Sequence, residues 1–170
     1  MKVLETERLI LRRLRMSDAK FVRRLLNEPS FIRYIGDRGV RTLEDARGYI
    51  RRGPVASYRR RGFGLLRVEL KESGEPIGIC GLVEREALPD LDIGFAFLPE
   101  HWRKGYACES AAAVLAWGRD VLALDRVLAI VQPDNEGSIR TLRKLGMQFE
   151  RMIRLSPEEP ELQLFGIRMS

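Results

Sequence analysis

The chain has 170 residues, enough for a full hydrophobic core, and we expect one domain over residues 1–170. One histidine, two cysteines and the absence of Cys/His clusters with ligand spacing argue against a metal site, a catalytic scheme built on several histidines and a disulfide framework. No apolar run approaches the ~20 residues of a membrane span. The first residues are too charged for a signal peptide. We therefore expect a cytoplasmic protein with no membrane partner.

The net charge of +6 is unevenly distributed. Residues 1–61 carry 17 Lys and Arg against 7 Asp and Glu, a surplus of ten, whereas the rest of the chain is net acidic. A basic first third could face nucleic acid, ribosomal RNA or an acidic acceptor. Arginine outnumbers lysine throughout, as compositional bias would also produce, and no nucleic-acid motif accompanies the charge. Both explanations stay open, and with them a nucleic-acid-binding function.

Apolar periodicity predicts alternating strands and helices along the chain. In order, we predict a strand at 7–14, a helix at 19–27, a loop at 31–40, a second helix from 42 that resumes after Gly53-Pro54 up to 61, strands at 63–70, 76–84 and 92–98, a third helix that follows the turn 103–107 and contains the alanine-rich run 110–117, a strand at 126–131, a fourth helix at 136–145, and strands at 147–155 and 162–168. This order predicts an α/β (α+β) fold.

Residues 92–109, DIGFAFLPEHWRKGYACE, carry most of the chemical information. Their first half alternates apolar residues as a buried strand does, and Pro99 ends that strand. The cationic turn RKGYA then opens an alanine-rich helix. Backbone N–H groups at such a helix start suit a phosphate or pyrophosphate. The alternative is an ordinary strand–turn–helix with a solvated basic tip.

Five segments, which together cover most of the chain, resemble the GNAT acyl-CoA N-acyltransferases. They are ETERLILRRL, FIRYIG, DIGFAFLPEHWRKGYACES, NEGSIRTLRKLGM and LQLFGI. The resemblance is to the branch that includes the ribosomal-protein N-terminal acetyltransferases RimJ and RimL. It implies a GNAT-like fold with a mixed, mostly antiparallel sheet of about seven strands, splayed between strands 4 and 5, and about four helices. It also implies acetyl-CoA as cosubstrate, with direct attack by an amine in a ternary complex and no metal.

The resemblance assigns coenzyme contacts to two parts of the stretch. The pyrophosphate would lie over the backbone of Arg103, Lys104, Gly105, Tyr106 and Ala107. The pantetheine arm would pair with the backbone of Phe95, Ala96, Phe97 and Leu98. The N–H of Phe95 would polarise the thioester carbonyl. Trp102 stands where many members have Gln or Arg, and it marks the subtype.

Two polar residues begin the fourth helix. Asn135 is either an N-cap or a ligand of the pantetheine arm. Ser138 is either an exposed first-turn serine or, as the resemblance implies, the donor to the leaving thiolate. Many members have a tyrosine acid farther along this helix, where this chain has Leu142.

An amine that is protonated at neutral pH must lose its proton before it attacks. Glu84 is the candidate base, acting through water, with Asp92 and Glu86 as alternatives; a rim carboxylate can also be merely solvated. We expect His101 to be a surface residue on the wrong side of the cofactor, and Cys108 to be a small packing residue.

By resemblance, Phe31 and Tyr34 frame the acceptor site, although both could equally anchor an irregular loop. The expected acceptor is a primary amine, foremost a protein N-terminal amine, and association with the ribosome is a further expectation. A small-molecule amine acetyltransferase of detoxification or resistance and a non-catalytic acyl-CoA-binding module are the alternatives. Like-charge repulsion from the basic first third would disfavour polyamines and aminoglycosides. Both a monomer and a homodimer fit the sequence.

Overall fold

The computed structural model describes residues 2–169. They form one sheet of eight strands, in the spatial order β1-β2-β3-β4-β5-β6-β8-β7. The strands are β1 (Lys2–Glu5), β2 (Leu9–Arg13), β3 (Leu65–Leu70), β4 (Pro76–Val83), β5 (Asp92–Phe97), β6 (Arg126–Val131), β7 (Gln148–Ile153) and β8 (Leu162–Arg168). Neighbouring strands are antiparallel except for β5 and β6. The predicted mixed, mostly antiparallel sheet is confirmed.

Six α-helices pack on this sheet. They are α1 (Ala19–Leu26), α2 (Pro29–Tyr34), α3 (Leu43–Ile50), α4 (Ala56–Arg61), α5 (Tyr106–Asp120) and α6 (Glu136–Lys144). A π-helical turn, Arg51–Val55, joins α3 to α4 and contains Pro54. A wider turn accommodates a proline, which has no N–H for the usual helical bond. No helix within residues 2–169 has the length and apolar character to cross a bilayer.

The structure differs from the predicted element count at two places. β1 is a short edge strand, KVLE, whose burial shows no clean alternation, and sequence periodicity therefore did not reveal it. α2 occupies residues that were predicted as a loop, and Pro29 begins this helix. A proline at the first helical position loses no hydrogen bond, because the N–H there has no partner within the helix.

The sheet is the middle layer of three. One of its faces packs against α5 and α6, through residues such as Val114 and Leu142. The other packs against α1, α2 and α3, through Leu25, Phe31 and Ile50. Helices therefore cover both faces, and an opening in the sheet itself is the natural place for an extended ligand.

That opening lies between β5 and β6. These parallel strands pair at Asp92 and Leu128, and within residues 2–169 they form no further register pair. The N–H of Leu128 donates to the carbonyl of Leu91 at 2.9 Å, on the same side of the divergence. Beyond this point the edge of β5 that faces β6 has no partner strand. The predicted splay, between the fourth and fifth predicted strands, is confirmed.

Candidate active site

A cleft of about 600 Å³ opens where β5 and β6 diverge. Its walls are the end of β5, the turn before α5, the first turns of α6, and parts of α1 and α2. The volume is within the range of ordinary ligand sites. The elements that sequence analysis singled out therefore meet around one space.

The turn before α5 has an unusual backbone. Arg103 has φ of 62° and Gly105 has φ of 83°, and Gly105 is the residue that precedes the first turn of α5. A non-glycine residue with positive φ is uncommon, and such residues cluster at ligand sites. Left-handed residues in a turn orient successive N–H groups toward one point, and the first N–H groups of the 15-residue α5 have no partner within the helix. The turn is therefore suited to an anion.

The start of the chain holds this turn in place through Glu109, in the first turn of α5. One carboxylate oxygen accepts from Arg8 Nε at 2.7 Å, and the other accepts from the Arg8 backbone N–H at 2.9 Å and from the Thr6 hydroxyl at 2.5 Å. Burial alone would raise the pKa of Glu109, but the bonds from Thr6 and Arg8 hold that pKa below its usual value. The Arg8 guanidinium also lies 4.5 Å from the centre of the Tyr106 ring. The segment ETERL thus braces the anion turn from the opposite end of the chain.

The end of β5 forms the wall beside the divergence. Phe95, Ala96 and Phe97 line the cleft. Leu98 does not, since its side chain is fully buried against the α1–α3 layer and its N–H donates to the carbonyl of Ile77 at 2.9 Å. The indole N–H of Trp102 donates to the carbonyl of Phe97 at 2.8 Å. Trp102, expected only as a subtype marker, therefore fixes the turn against the end of β5.

The start of α6 forms the opposite wall, and both of its predicted residues line the cleft. Asn135 Oδ1 accepts a hydrogen bond from the Ser138 backbone N–H at 3.3 Å, so Asn135 is the N-cap of α6. The cap uses the amide oxygen and leaves the Nδ2 donors for a ligand. Leu142 is 2 % exposed and packs in the core, so this chain has no acid at the position where many members have a tyrosine.

Phe31 and Tyr34, the predicted acceptor residues, line the α1–α2 side of the cleft. Arg33 Nη2 forms a 3.0 Å ion pair with Asp134 Oδ2, and Arg33 Cζ lies 5.0 Å from the centre of the Tyr34 ring. This pair joins α2 to the loop before α6 across the cleft.

The three candidate bases lie away from the cleft lining. Glu84 forms an ion pair with Arg61, and Glu86 is exposed on the following loop. Asp92 is 1 % exposed; its Oδ1 accepts from Arg85 Nε at 3.0 Å, and its Oδ2 has no hydrogen-bond partner among residues 2–169. Burial raises the pKa of Asp92 to about 6, and Arg85 partly offsets that rise. The positions of these three carboxylates do not support any of them as the general base.

Three other residues differ from expectation. The His101 side chain is only 10 % exposed and lines the cleft, with Nε2 3.1 Å from Glu75 Oε2 and its ring beside Tyr106, so it is not the surface residue that was expected. Cys108 is half-buried and lines the cleft, whereas Lys104 is exposed outside it.

Sequence reasoning missed the second half of the α6 wall. Arg140, Thr141 and Lys144 all line the cleft. The signal that could have found them is their spacing from Asn135 and Ser138, because residues three or four apart share a helix face.

Comparison with known proteins decides the family. Residues 8–148 match the sequence profile of the acetyltransferase (GNAT) domain. The chain belongs to the GNAT acetyltransferase family. It is therefore an N-acetyltransferase, and its resemblance to the RimJ/RimL-like branch is confirmed.

Relatives and solved structures agree with this assignment. The uncharacterized N-acetyltransferase YoaA of Bacillus subtilis is 34 % identical over 154 residues, which cover 89 % of this chain and 86 % of YoaA. An acetyltransferase from Agrobacterium tumefaciens has 28 % identity and a TM-score of 0.81, over 99 % of this chain and 95 % of its own. RimL, a ribosomal L7/L12 alpha-N-protein acetyltransferase solved with coenzyme A, shares the fold at a TM-score of 0.85 and 15 % identity, over 99 % and 98 % of the two chains.

The GNAT cleft fits the acetyl-CoA that this family uses. A diphosphate needs convergent N–H donors, which the left-handed turn at Arg103 and Gly105 presents. A pantetheine arm has two amides and therefore needs a free strand edge, which β5 presents beyond Asp92. Both requirements are met in the same cleft.

Proposed function

We propose that this GNAT enzyme acetylates protein N-terminal amines by direct attack in a ternary complex. The observation that carries the proposal is the lack of a buried carboxylate base in the cleft, where the one lining histidine, His101, has its Nε2 3.1 Å from Glu75 Oε2. Among residues 2–169, the carboxylates that line the cleft are Asp134 and Glu136; both are exposed, and Asp134 is paired with Arg33. Because no buried carboxylate in the cleft can remove a proton from the acceptor, only the acceptor molecules whose amine is already neutral in solution can react.

The pKa of the amine then determines which acceptors react. An α-amino group has a pKa of about 8, whereas an alkylamine such as lysine has a pKa near 10.4, so at neutral pH the α-amine has roughly 200 times the neutral fraction. A polyamine would also lack partners, since few carboxylates line the cleft and Arg33 stands beside Tyr34. Both arguments favour a protein N-terminus over a polycationic small molecule.

Acetyl-CoA, when bound, supplies an acetyl group activated as a thioester. The backbone N–H groups of Arg103 to Ala107 would hold its diphosphate, and Asn135 Nδ2 would donate to the pantetheine arm. The Phe95 N–H would donate to the thioester carbonyl oxygen, where negative charge develops during attack. The Ser138 hydroxyl would donate to the sulfur as it leaves as a thiolate. Phe31 and Tyr34 would hold the acceptor chain.

Thiol release from acetyl-CoA tests the acceptor assignment. The acceptors are a Ser-initiated acidic peptide with one internal lysine, the same peptide with a blocked N-terminus, spermine and an aminoglycoside. We expect kcat/KM to be highest for the free peptide and to vanish on blocking. Turnover of spermine comparable to that of the free peptide would contradict the proposal and favour the small-molecule alternative.

The exposed arginines of the π-helical turn and α4 support ribosome association as part of this function. Arg51, Arg52, Arg59 and Arg60 are exposed and form no salt bridge within residues 2–169. A basic surface of this kind binds RNA in a salt-dependent manner. We expect cosedimentation with ribosomes at low salt that R51A/R52A/R59A/R60A abolishes. Equal cosedimentation of this variant would show that the arginines are only solvated.

A further inference from the structure

Two cations in the cleft have no role in the coenzyme placement given above. Arg140 and Lys144 line the α6 wall, and both are exposed. Neither forms a salt bridge within the part of the chain that the structure describes, although Glu136 stands one turn before Arg140. Residues four apart share one helix face, where like charges repel each other. Two adjacent cations with no partner, on a ligand-facing surface, favour an anionic group of the ligand.

Their position along α6 indicates which group this is. Asn135 and Ser138, at the start of the helix, are assigned to the pantetheine end of the coenzyme. With a rise of 1.5 Å per residue, Lys144 lies about 9 Å beyond Ser138 along the helix axis. The diphosphate is assigned to the opposite wall, at Arg103 to Ala107. A cation pair farther along α6 is therefore available to the nucleotide end of the coenzyme.

We propose that Arg140 and Lys144 form the site for the 3′-phosphate of coenzyme A. This inference rests on the coenzyme placement of the proposed function but not on the acceptor. A phosphate monoester carries nearly two negative charges at neutral pH, since its second pKa is about 6. A guanidinium can bind it through two parallel hydrogen bonds, and a lysine adds a point charge. The site would therefore distinguish coenzyme A from 3′-dephospho-coenzyme A.

A purely structural explanation makes a different prediction. Cations in the last turn of a helix interact favourably with its dipole, whatever ligand is bound. Arg143 belongs to that last turn, is exposed, and lies outside the cleft lining. Loss of Arg143 removes the same charge from the same helix end as loss of Lys144. R143A is therefore the matched control for charge and helix stability.

Calorimetric titration with coenzyme A and with 3′-dephospho-coenzyme A, at one ionic strength and without acceptor, tests the proposal. We expect the wild type to prefer coenzyme A by about tenfold or more, which corresponds to roughly 1.4 kcal/mol. R140A and K144A should each reduce this preference, and R140A/K144A should bring the ratio near one while leaving affinity for the dephospho compound unchanged. R143A should keep the wild-type ratio. Thermal unfolding confirms that each variant is folded.

A wild-type ratio near one would overturn the inference. So would a wild-type ratio in R140A/K144A, a ratio lowered equally by R143A, or an equal loss of affinity for both compounds in the double variant. The titrations contain no acceptor. The ratio of the affinities for coenzyme A and 3′-dephospho-coenzyme A can therefore be interpreted even if the peptide assay fails. Failure of the coenzyme placement would appear separately, as unchanged affinity for both compounds in variants of the Arg103–Ala107 turn.

Discussion

The amide oxygen of Asn135 accepts a hydrogen bond from the backbone N–H of Ser138 at 3.3 Å, within the wall of the coenzyme cleft. The two interpretations of Asn135 that the sequence left open are therefore compatible. The oxygen caps α6, and the Nδ2 group remains for the proposed contact with the pantetheine arm. Because the two roles use different atoms, substitutions can separate them.

Replacing Asn135 with serine or alanine should separate capping from ligand binding. Serine is a good N-cap but lacks the amide N–H donors, whereas alanine lacks both functions. We expect N135A to lose about 1 kcal/mol of unfolding free energy and N135S only a few tenths. Both variants should raise KM for acetyl-CoA. Urea unfolding and steady-state kinetics measure the two effects, and a wild-type KM in N135S would limit Asn135 to capping.

Replacing Ser138 with alanine should affect the chemical step more than the fold. The hydroxyl is assigned to the departing thiolate, which develops charge only during reaction. We expect kcat to fall about tenfold, equivalent to roughly 1.4 kcal/mol of transition-state stabilisation, with KM for acetyl-CoA little changed. S138T retains a hydroxyl and should keep more of the activity. Equal rates for S138A and the wild type would leave Ser138 as a first-turn residue without a chemical role.

The parts of the site that follow from local chemistry were predictable from the sequence. Pro99 ends a strand, the RKGYA turn presents backbone N–H groups, and Asn135 caps a helix, and each of these effects is local. The structure places the turn and the cap at one cleft. α2 was missed because the proline that ends one helix can also begin the next. β1 was missed because a four-residue edge strand is too short to show periodicity.

Long-range geometry limited the remaining predictions. Glu84 is near β5 through the β4–β5 pairing, but strand adjacency does not determine which end of the sheet a side chain reaches. Glu84 follows the β4 residue that pairs with Asp92, at the end where β5 and β6 still pair. The brace between Arg8 and Glu109 spans 101 residues and gives no local signal.

Replacing Gly105 with alanine should weaken both the turn and coenzyme binding. Gly105 has φ of 83°, and a Cβ there would lie 3.2 Å from Arg8 Nη2. A side chain in the left-handed region costs about 1 kcal/mol. We expect that loss in urea unfolding, together with a roughly tenfold weaker Kd for coenzyme A in calorimetry.

Gly62 supplies the control for Gly105. It also has a positive φ, 79°, it lies outside the cleft lining, and a Cβ there would meet no atom within 4 Å. G62A should therefore lose a similar ~1 kcal/mol of stability but keep the wild-type Kd. Wild-type coenzyme affinity in a destabilised G105A would show that the turn does not hold the diphosphate.

Replacing Asp92 with asparagine should change how stability depends on pH. Burial raises the pKa of Asp92 from 3.8 to about 6, so the folded protein binds this proton more tightly than the unfolded chain. Its stabilisation is therefore complete below about pH 4 and is lost as the pH rises through about 6. The cost at pH 7.5 is on the order of 2–3 kcal/mol. Asparagine stays neutral and avoids that cost.

Urea unfolding of the wild type and D92N between pH 4 and pH 7.5 measures this cost. The stability of the wild type relative to D92N should fall as the pH rises, because carboxylates common to both proteins cancel in the difference. E86Q, which removes an exposed carboxylate from the neighbouring loop, should show no such trend. A constant difference between the wild type and D92N would mean that Arg85 fully compensates the buried charge. A carboxylate with this raised pKa is a stronger base than an ordinary aspartate, so it is the position of Asp92 outside the cleft lining, and not its pKa, that counts against it as the base.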